Sequence, residues 1–166
     1  MMADEELHEH ANEYFRSGCV LVIGRKTYEL MEDAWPAIVK KPTGIKATDE
    51  FAVLMDNIPK IVFSHTLKNL QWETATLAQT DLETTIKELK RQPGKNILIG
   101  GTTLISALTQ LGLIDEIRLL IQPIILGSGI PLFRDISERV DLKLLQTKTL
   151  SSGVVMHCYE PTKRRK

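Results

Sequence analysis

The stretch Cys19-Val20-Leu21-Val22-Ile23-Gly24-Arg25-Lys26-Thr27 decides the fold. Cys19 to Ile23 is a short apolar run rich in β-branched residues, which reads as a strand buried on both faces. Gly24 breaks the run, and a helix is predicted over Thr27 to Asp33. Upstream, Leu7, Ala11, Tyr14 and Phe15 recur at helical spacing, so Asp4 to Ser17 reads as an amphipathic helix with Gly18 as its stop. Downstream, Trp35 to Thr48 carries Pro36, Pro42 and Gly44 and reads as a loop, and Glu50 to Asn57 as a short helix.

The alternation continues. Lys60 to Ser64 and Trp72 to Leu77 read as strands. Thr80 with Glu83 forms a capping-box pair ahead of a helix with Leu82, Ile86 and Leu89 on one face, ended by Pro93-Gly94. Asn96 to Ile99 is a strand running into Gly100-Gly101. Leu104, Ile105, Leu108 and Leu111 mark the next helix, with Gly112 as its stop. This order implies right-handed crossovers and a mainly parallel sheet. Ile117 to Leu126, Leu142 to Leu150 and Val154 to Glu160 read as strands, the last two joined by a turn at Ser151-Ser152-Gly153. The sheet is therefore expected to finish with antiparallel strands at one edge.

The bulk numbers suit one domain with its own core: 166 residues, 43% hydrophobic and 25% charged, with zero formal net charge. Zero net charge gives no global pull toward nucleic acid or an anionic membrane. No apolar run approaches the ~18 residues of a membrane span, and Met1 to Glu6 is acidic and lacks an apolar signal core. A cytoplasmic location is expected. Cys19 and Cys158 read as reduced core residues. The ending Lys163-Arg164-Arg165-Lys166 reads as a solvated tail.

Three loops follow apolar strands and have anion-binding character. Gly24-Arg25-Lys26-Thr27 sets two cations and a hydroxyl at a helix start, where free N–H groups and the helix dipole favour phosphate. Ser64-His65-Thr66 offers hydroxyls and an imidazole for a phosphate or ribose. Ile99-Gly100-Gly101-Thr102-Thr103 lets a ligand approach the backbone ahead of another helix start, although glycine pairs also serve close helix–sheet packing. It is neither a Rossmann fingerprint nor a P-loop. Each loop alone is also an ordinary turn. Together they lie at the carboxyl ends of strands, where open α/β sheets bind ligands. His8 and His10 lack the spacing of a helical metal site, and His157 reads as one face of a strand with Val155 and Tyr159.

Gly24-Arg25-Lys26-Thr27-Tyr28-Glu29 after an apolar strand resembles the Gly-Arg-x-Thr element of dihydrofolate reductases. Asp115-Glu116-Ile117-Arg118-Leu119 and Pro123-Ile124-Ile125-Leu126-Gly127-Ser128-Gly129-Ile130-Pro131-Leu132-Phe133 resemble the reductase domain of riboflavin biosynthesis and its single-domain relatives. The resemblance runs from about Asp4 to Glu160. It implies a three-layer α/β/α dihydrofolate reductase-like fold, a mainly parallel sheet and an antiparallel C-terminal hairpin. It also implies NADPH as cofactor. Arg25 and Thr27 would contact its phosphates, the Ser64-His65 loop its 2′-phosphate, and Gly100-Gly101 its nicotinamide and pyrophosphate segment. The implied activity is hydride transfer to a small heterocyclic or ribosylamino substrate.

The family begins with a central strand and a loop that shape the substrate pocket, and this sequence starts at the helix after them. No catalytic acid is assigned: His8 falls near the position of the folate enzymes' carboxylate. The alternative is a non-catalytic nucleotide-binding or assembly protein that has lost the pocket. Cys19 to Ile23 and Asn96 to Ile99 lack the charges and prolines of protected edges. Either the strands beside the gap pair directly, or a second copy covers them in a homodimer.

Overall fold

Gly18–Gly24 forms β1, one of the two inner strands of a four-stranded parallel sheet, and its alternating side chains organise two apolar layers. The computed structural model describes residues 5–162. The expected helix start at Asp4 and the basic tail Lys163 to Lys166 lie outside the described residues. Chain order is α1 (Glu5–Ser17), β1, α2 (Arg25–Glu32), α3 (Ala34–Lys40), α4 (Lys46–Asn57), β2 (Lys60–Phe63), β3 (Ala75–Leu77), α5 (Leu82–Arg91), β4 (Asn96–Gly100), α6 (Thr102–Gln110), β5 (Ile117–Ile121), β6 (Asp141–Thr149) and β7 (Val155–Thr162).

The parallel sheet has the order β3-β2-β1-β4. Leu21 and Ile23 of β1 join Tyr28, Phe51, Met55 and Trp72 on one face. Val22 joins Ile86 of α5 and Leu104 and Leu108 of α6 on the other. A strand covered on both faces reads as continuous apolar sequence, which is why this run was legible. α6 ends in a Schellman motif: Gly112 has φ 65°, its N–H bonds to Thr109 O, and Leu113 N–H bonds to Leu108 O.

Several sequence expectations are corrected. The predicted loop from Trp35 to Thr48 contains α3 and the start of α4. Pro36 lies in the first turn of α3, where no helical N–H is needed, and Trp35 packs edge-on against Phe51 at 4.7 Å. The strand predicted from Trp72 begins only at Ala75, because the N–H groups of Gln71 and Trp72 donate instead to the Tyr28 hydroxyl. The cap of α5 is Asp81, whose carboxylate accepts from Thr84 N at 2.9 Å; Thr80 pairs its hydroxyl with Thr85. β5 stops at Ile121, two residues before Pro123, which has no N–H for a ladder. Cys19 is exposed rather than in the core, since the β1–β4 register slips between Gly18 and Val20; Cys158 is buried, and both thiols are free.

The C-terminal strands form a second sheet, antiparallel, with the order β5-β7-β6. The β6–β7 hairpin closes where expected, with Gly153 at φ 82° and Leu150 N–H bonded to Val154 O. α1 covers this sheet through Leu7 against Leu150 and Val154, and through Tyr14, whose hydroxyl donates to Met156 Sδ. The two runs expected beside the gap are direct neighbours, with Val22 opposite Ile99. The unpaired edges sit one place further along: β4 is bonded to β1 on one side, β5 to β7 on one side, and the antiparallel strands do not continue the parallel sheet.

Candidate functional site at the carboxyl ends of the parallel strands

β2, β1 and β4 are adjacent and parallel, so the loops that leave them emerge side by side. Gly24 lies opposite Phe63, and Ile23 opposite Gly100. The sequence-predicted residues therefore share one edge of the sheet, with Gly24, Arg25, Lys26 and Thr27 in the middle, Ser64, His65 and Thr66 on one side, and Ile99 to Thr103 on the other.

The middle and third loops touch. A Cβ on Gly100 would come within 2.9 Å of Ile23 Cγ2, and one on Gly101 within 2.7 Å of the Thr27 hydroxyl oxygen. Gly101 also has φ 95°, a region that disfavours any side chain. Both glycines are thus required by packing inside the chain, and that packing sets Thr27 against the start of α6. Neither α6 nor α2 has a side-chain N-cap, their preceding residues being Gly101 and Gly24. The first α6 backbone bond runs from Ile105 N to Gly101 O. The N–H groups of Thr102 and Thr103 precede it, so this helix start keeps its donors and its partial positive charge for an anion.

The charged and hydroxyl groups are arranged less uniformly. Arg25 Nη1 donates to both carboxylate oxygens of Glu29, one helical turn on, at 2.9 and 3.0 Å. Lys26 is exposed beside Glu29 and Leu30. Ser64 Oγ accepts from Thr66 N and Leu67 N at 3.1 and 2.9 Å, which closes the loop on itself and leaves the hydroxyl proton to donate outward. His65, Thr66 and Thr103 are exposed.

Next to the third loop, a cleft of about 950 Å³ separates β4 from β5. Leu21, Ile23 and Phe51 line it on one side of the sheet and Ile86 and Leu108 on the other. A polar group at its wall was not singled out from sequence. The Arg118 guanidinium stacks on the Tyr14 ring at 3.7 Å and pairs with Glu116. Burial and neighbouring Glu116 push the Cys158 thiol up, and burial raises the Tyr14 phenol. The available signal was Arg118 itself, the lone charge inside the apolar run Ile117 to Ile121.

A four-stranded parallel sheet flanked by helices and a separate three-stranded antiparallel C-terminal sheet define a mixed α/β class. A putative riboflavin biosynthesis protein from Shewanella sp. PV-4 superposes with a TM-score of 0.68 at 19% identity, over 90% of this chain and 77% of that one. A pyrimidine reductase-like protein from Corynebacterium diphtheriae gives 0.63 at 16%, over 98% and 84%. The chain belongs to the RibD C-terminal domain family, whose model matches residues 1–156. Among curated relatives, YyaP of Bacillus subtilis is 38% identical over 140 residues, 84% of this chain and 72% of that protein. YwjB of the same organism is 27% identical over 147 residues, 88% and 76%.

Proposed function

We propose that the protein is an NADPH-dependent reductase that delivers hydride to a carbon–nitrogen or carbon–oxygen double bond of a small heterocyclic or ribosylamino compound. The observation that carries this assignment is the convergence of two uncapped helix starts, at Gly24 and Gly101, with Thr27 packed between them. That pair suits the pyrophosphate of a dinucleotide, because the helix-start N–H groups and dipoles meet its charge without side-chain rearrangement. NADPH, when bound, supplies the hydride. Thr27 and Ser64 donate hydroxyl hydrogen bonds to phosphate oxygens, and the backbone from Gly100 to Thr103 cradles the pyrophosphate. Arg25 anchors phosphate in exchange for its pairing with Glu29, which holds the guanidinium in place beforehand.

Calorimetric titration with NADPH and NADH tests this. NADPH is expected to bind more tightly by roughly tenfold or more, since a charge-assisted contact contributes ~1.5–3 kcal/mol. Arg25→Ala should reduce that preference while circular dichroism stays unchanged. Equal affinity for both nucleotides, or none at millimolar concentration, overturns the proposal.

A homodimer is part of the same proposal. Ile124, Ile125, Leu126 and Ile130 are all more than half exposed, Ile125 at 99%, and β6 adds Leu144 and Leu145 at about half. Apolar groups gathered on one C-terminal unit suit an isologous contact with a second copy.

A further inference from the structure

α1 is held on its two flanks by different chemistry. Toward α4, Asn12 Nδ2 donates to Ala47 O at 3.0 Å, Phe15 packs edge-on against Phe51, and Arg16 pairs with Glu50. An amide, a phenyl ring and a guanidinium keep their charge from pH 5 to 8. The imidazole on this flank, His8, has Nδ1 3.3 Å from the Thr48 hydroxyl. A hydroxyl donates to a neutral ring and accepts from a protonated one, so that contact survives in either state. Toward the antiparallel sheet, polar contacts run through Glu6 and His10, one helical turn apart. Glu6 accepts from Ser151 N and Oγ at 2.8 Å. His10 Nε2 lies 2.5 Å from Lys148 Nζ in β6, and that ammonium lies 3.7 Å from Glu6 Oε1.

The contact between His10 and Lys148 exists in one charge state alone. An ammonium has three donors and no acceptor, so Nε2 must present its lone pair and the ring proton must sit on Nδ1. Nδ1 faces Glu13 Oε2 at 3.3 Å and is buried without an aligned hydrogen-bond partner. Imidazole is the side chain that ordinarily changes charge between pH 5 and 8. A protonated His10 would turn an N–H on the ammonium and set two like charges at contact distance.

Exposure decides which partner yields. The His10 side chain is 14% exposed and that of Lys148 42%. The lysine reaches water by rotating its stem, whereas the ring stays in the seam. The carboxylate it leaves behind, Glu6, stands four residues before His10, the order in which a helical acid–base pair is favourable. The other groups facing the seam keep their state. Glu13 is exposed on α1, as is Glu9. Arg118 of β5 stacks on the Tyr14 ring and pairs with Glu116. From β7, Met156 Sδ accepts from the Tyr14 hydroxyl, and burial keeps the Cys158 thiol protonated.

We propose that His10 is a pH-operated pin between α1 and β6: neutral, it holds Lys148; protonated, it releases Lys148 and pairs with Glu6 inside α1. Acid therefore loosens β6 from α1 while α1 stays on α4. The test needs no nucleotide, so it is independent of the proposed activity. Two double-mutant cycles are measured by urea unfolding of the full chain at pH 8 and pH 5.5. One combines His10→Ala with Lys148→Met, the other His10→Ala with Glu6→Gln. At pH 8 the first cycle should show favourable coupling of roughly twofold or more in the unfolding constant, and at pH 5.5 none or an unfavourable one. The second should be weak at pH 8 and reach roughly twofold or more at pH 5.5. Nitrogen-15 NMR of the parent should place the His10 ring proton on Nδ1 at pH 8. Equal coupling of His10 with Lys148 at both pH values, or a ring proton on Nε2 at pH 8, overturns the proposal. Coupling with Glu6 that does not grow in acid overturns the exchange of partners.

Discussion

The inner strand β1 of the parallel sheet and the edge strand β6 of the antiparallel sheet are buried to opposite extents. Val22 and Ile23 of β1 are fully buried, and apolar clusters lie on both faces of the parallel sheet. All nine residues of β6 are exposed, whereas Ile117 of β5 and Met156 and Cys158 of β7 are buried, and a small buried cluster of Leu7, Leu150 and Val154 lies beneath the antiparallel sheet. The same local chemistry, short runs of Leu, Ile and Val, is core in one place and surface in the other. What separates them is layer coverage: helices α4, α5 and α6 close over the parallel sheet, whereas α1 is the helix that reaches the antiparallel one. Stability should therefore reside in the first region, and association in the second.

The largest expected effect breaks the buried side. Val22→Asp places an unpaired carboxylate where no water reaches. Its cost is on the order of 5 kcal/mol, comparable with a whole domain's ~5–15 kcal/mol. Circular dichroism in urea should show a largely unfolded chain at neutral pH. A cooperative transition near the parent's would mean that the parallel sheet is not the stability core.

A smaller effect sharpens the comparison at its polar exception. Lys60 in β2 is 1% exposed. Its ammonium donates to Asp56 O, Ile58 O and Thr74 Oγ1 at 3.2, 2.8 and 2.7 Å, and lies over the Trp72 ring. It thereby caps the end of α4. Lys60→Met should cost about 2–3 kcal/mol near neutral pH, because it strands buried carbonyl oxygens. Burial depresses the lysine pKa from 10.5 to about 8, with Asp56 opposing. A folded-state pKa below the unfolded one means that the unfolded chain holds more protons between these values. The contribution of this group is present above about 10.5 and lost as pH falls through about 8. Urea midpoints from pH 7 to 10 should show the parent gaining on Lys60→Met as pH rises. The paired comparison cancels Tyr14, Tyr28 and Cys158, whose raised pKa values act in the opposite sense. A constant difference across that range would mean that Lys60 stays charged in the fold.

The smallest expected effect lies on the exposed side. Leu144→Asp in β6 should change stability by less than about 0.5 kcal/mol at concentrations where the chain is monomeric. In sedimentation at micromolar concentration the same variant should shift from dimer to monomer, since a charge enters the proposed contact. A parent that sediments as a monomer would remove the dimer.

Element type was legible wherever local chemistry acts over a few residues. Continuous apolar runs marked β1, β2 and β4, Gly112 marked the end of α6, and Gly153 marked the hairpin. The errors arose where a distant group takes over a local one. Phe51 recruits Trp35 into α3 despite the prolines, and the Tyr28 hydroxyl takes the N–H groups that would have started β3 at Trp72. That the three loops share one edge of the sheet was legible, because strand order alone aligns carboxyl ends. Arg25's engagement with Glu29, and the dependence of Gly101 on Thr27, were not.

From residue order alone came the mixed α/β class, the three loops at the carboxyl ends and the family, because periodicity, turn residues and motif spacing are local properties of a chain. The tertiary structure decided the rest: which apolar runs are core, that the strands divide into two sheets, and that β4 and β5 face each other across an apolar cleft. Those outcomes depend on which layers cover which faces and which main-chain edges find partners, and both are settled by groups far apart in sequence.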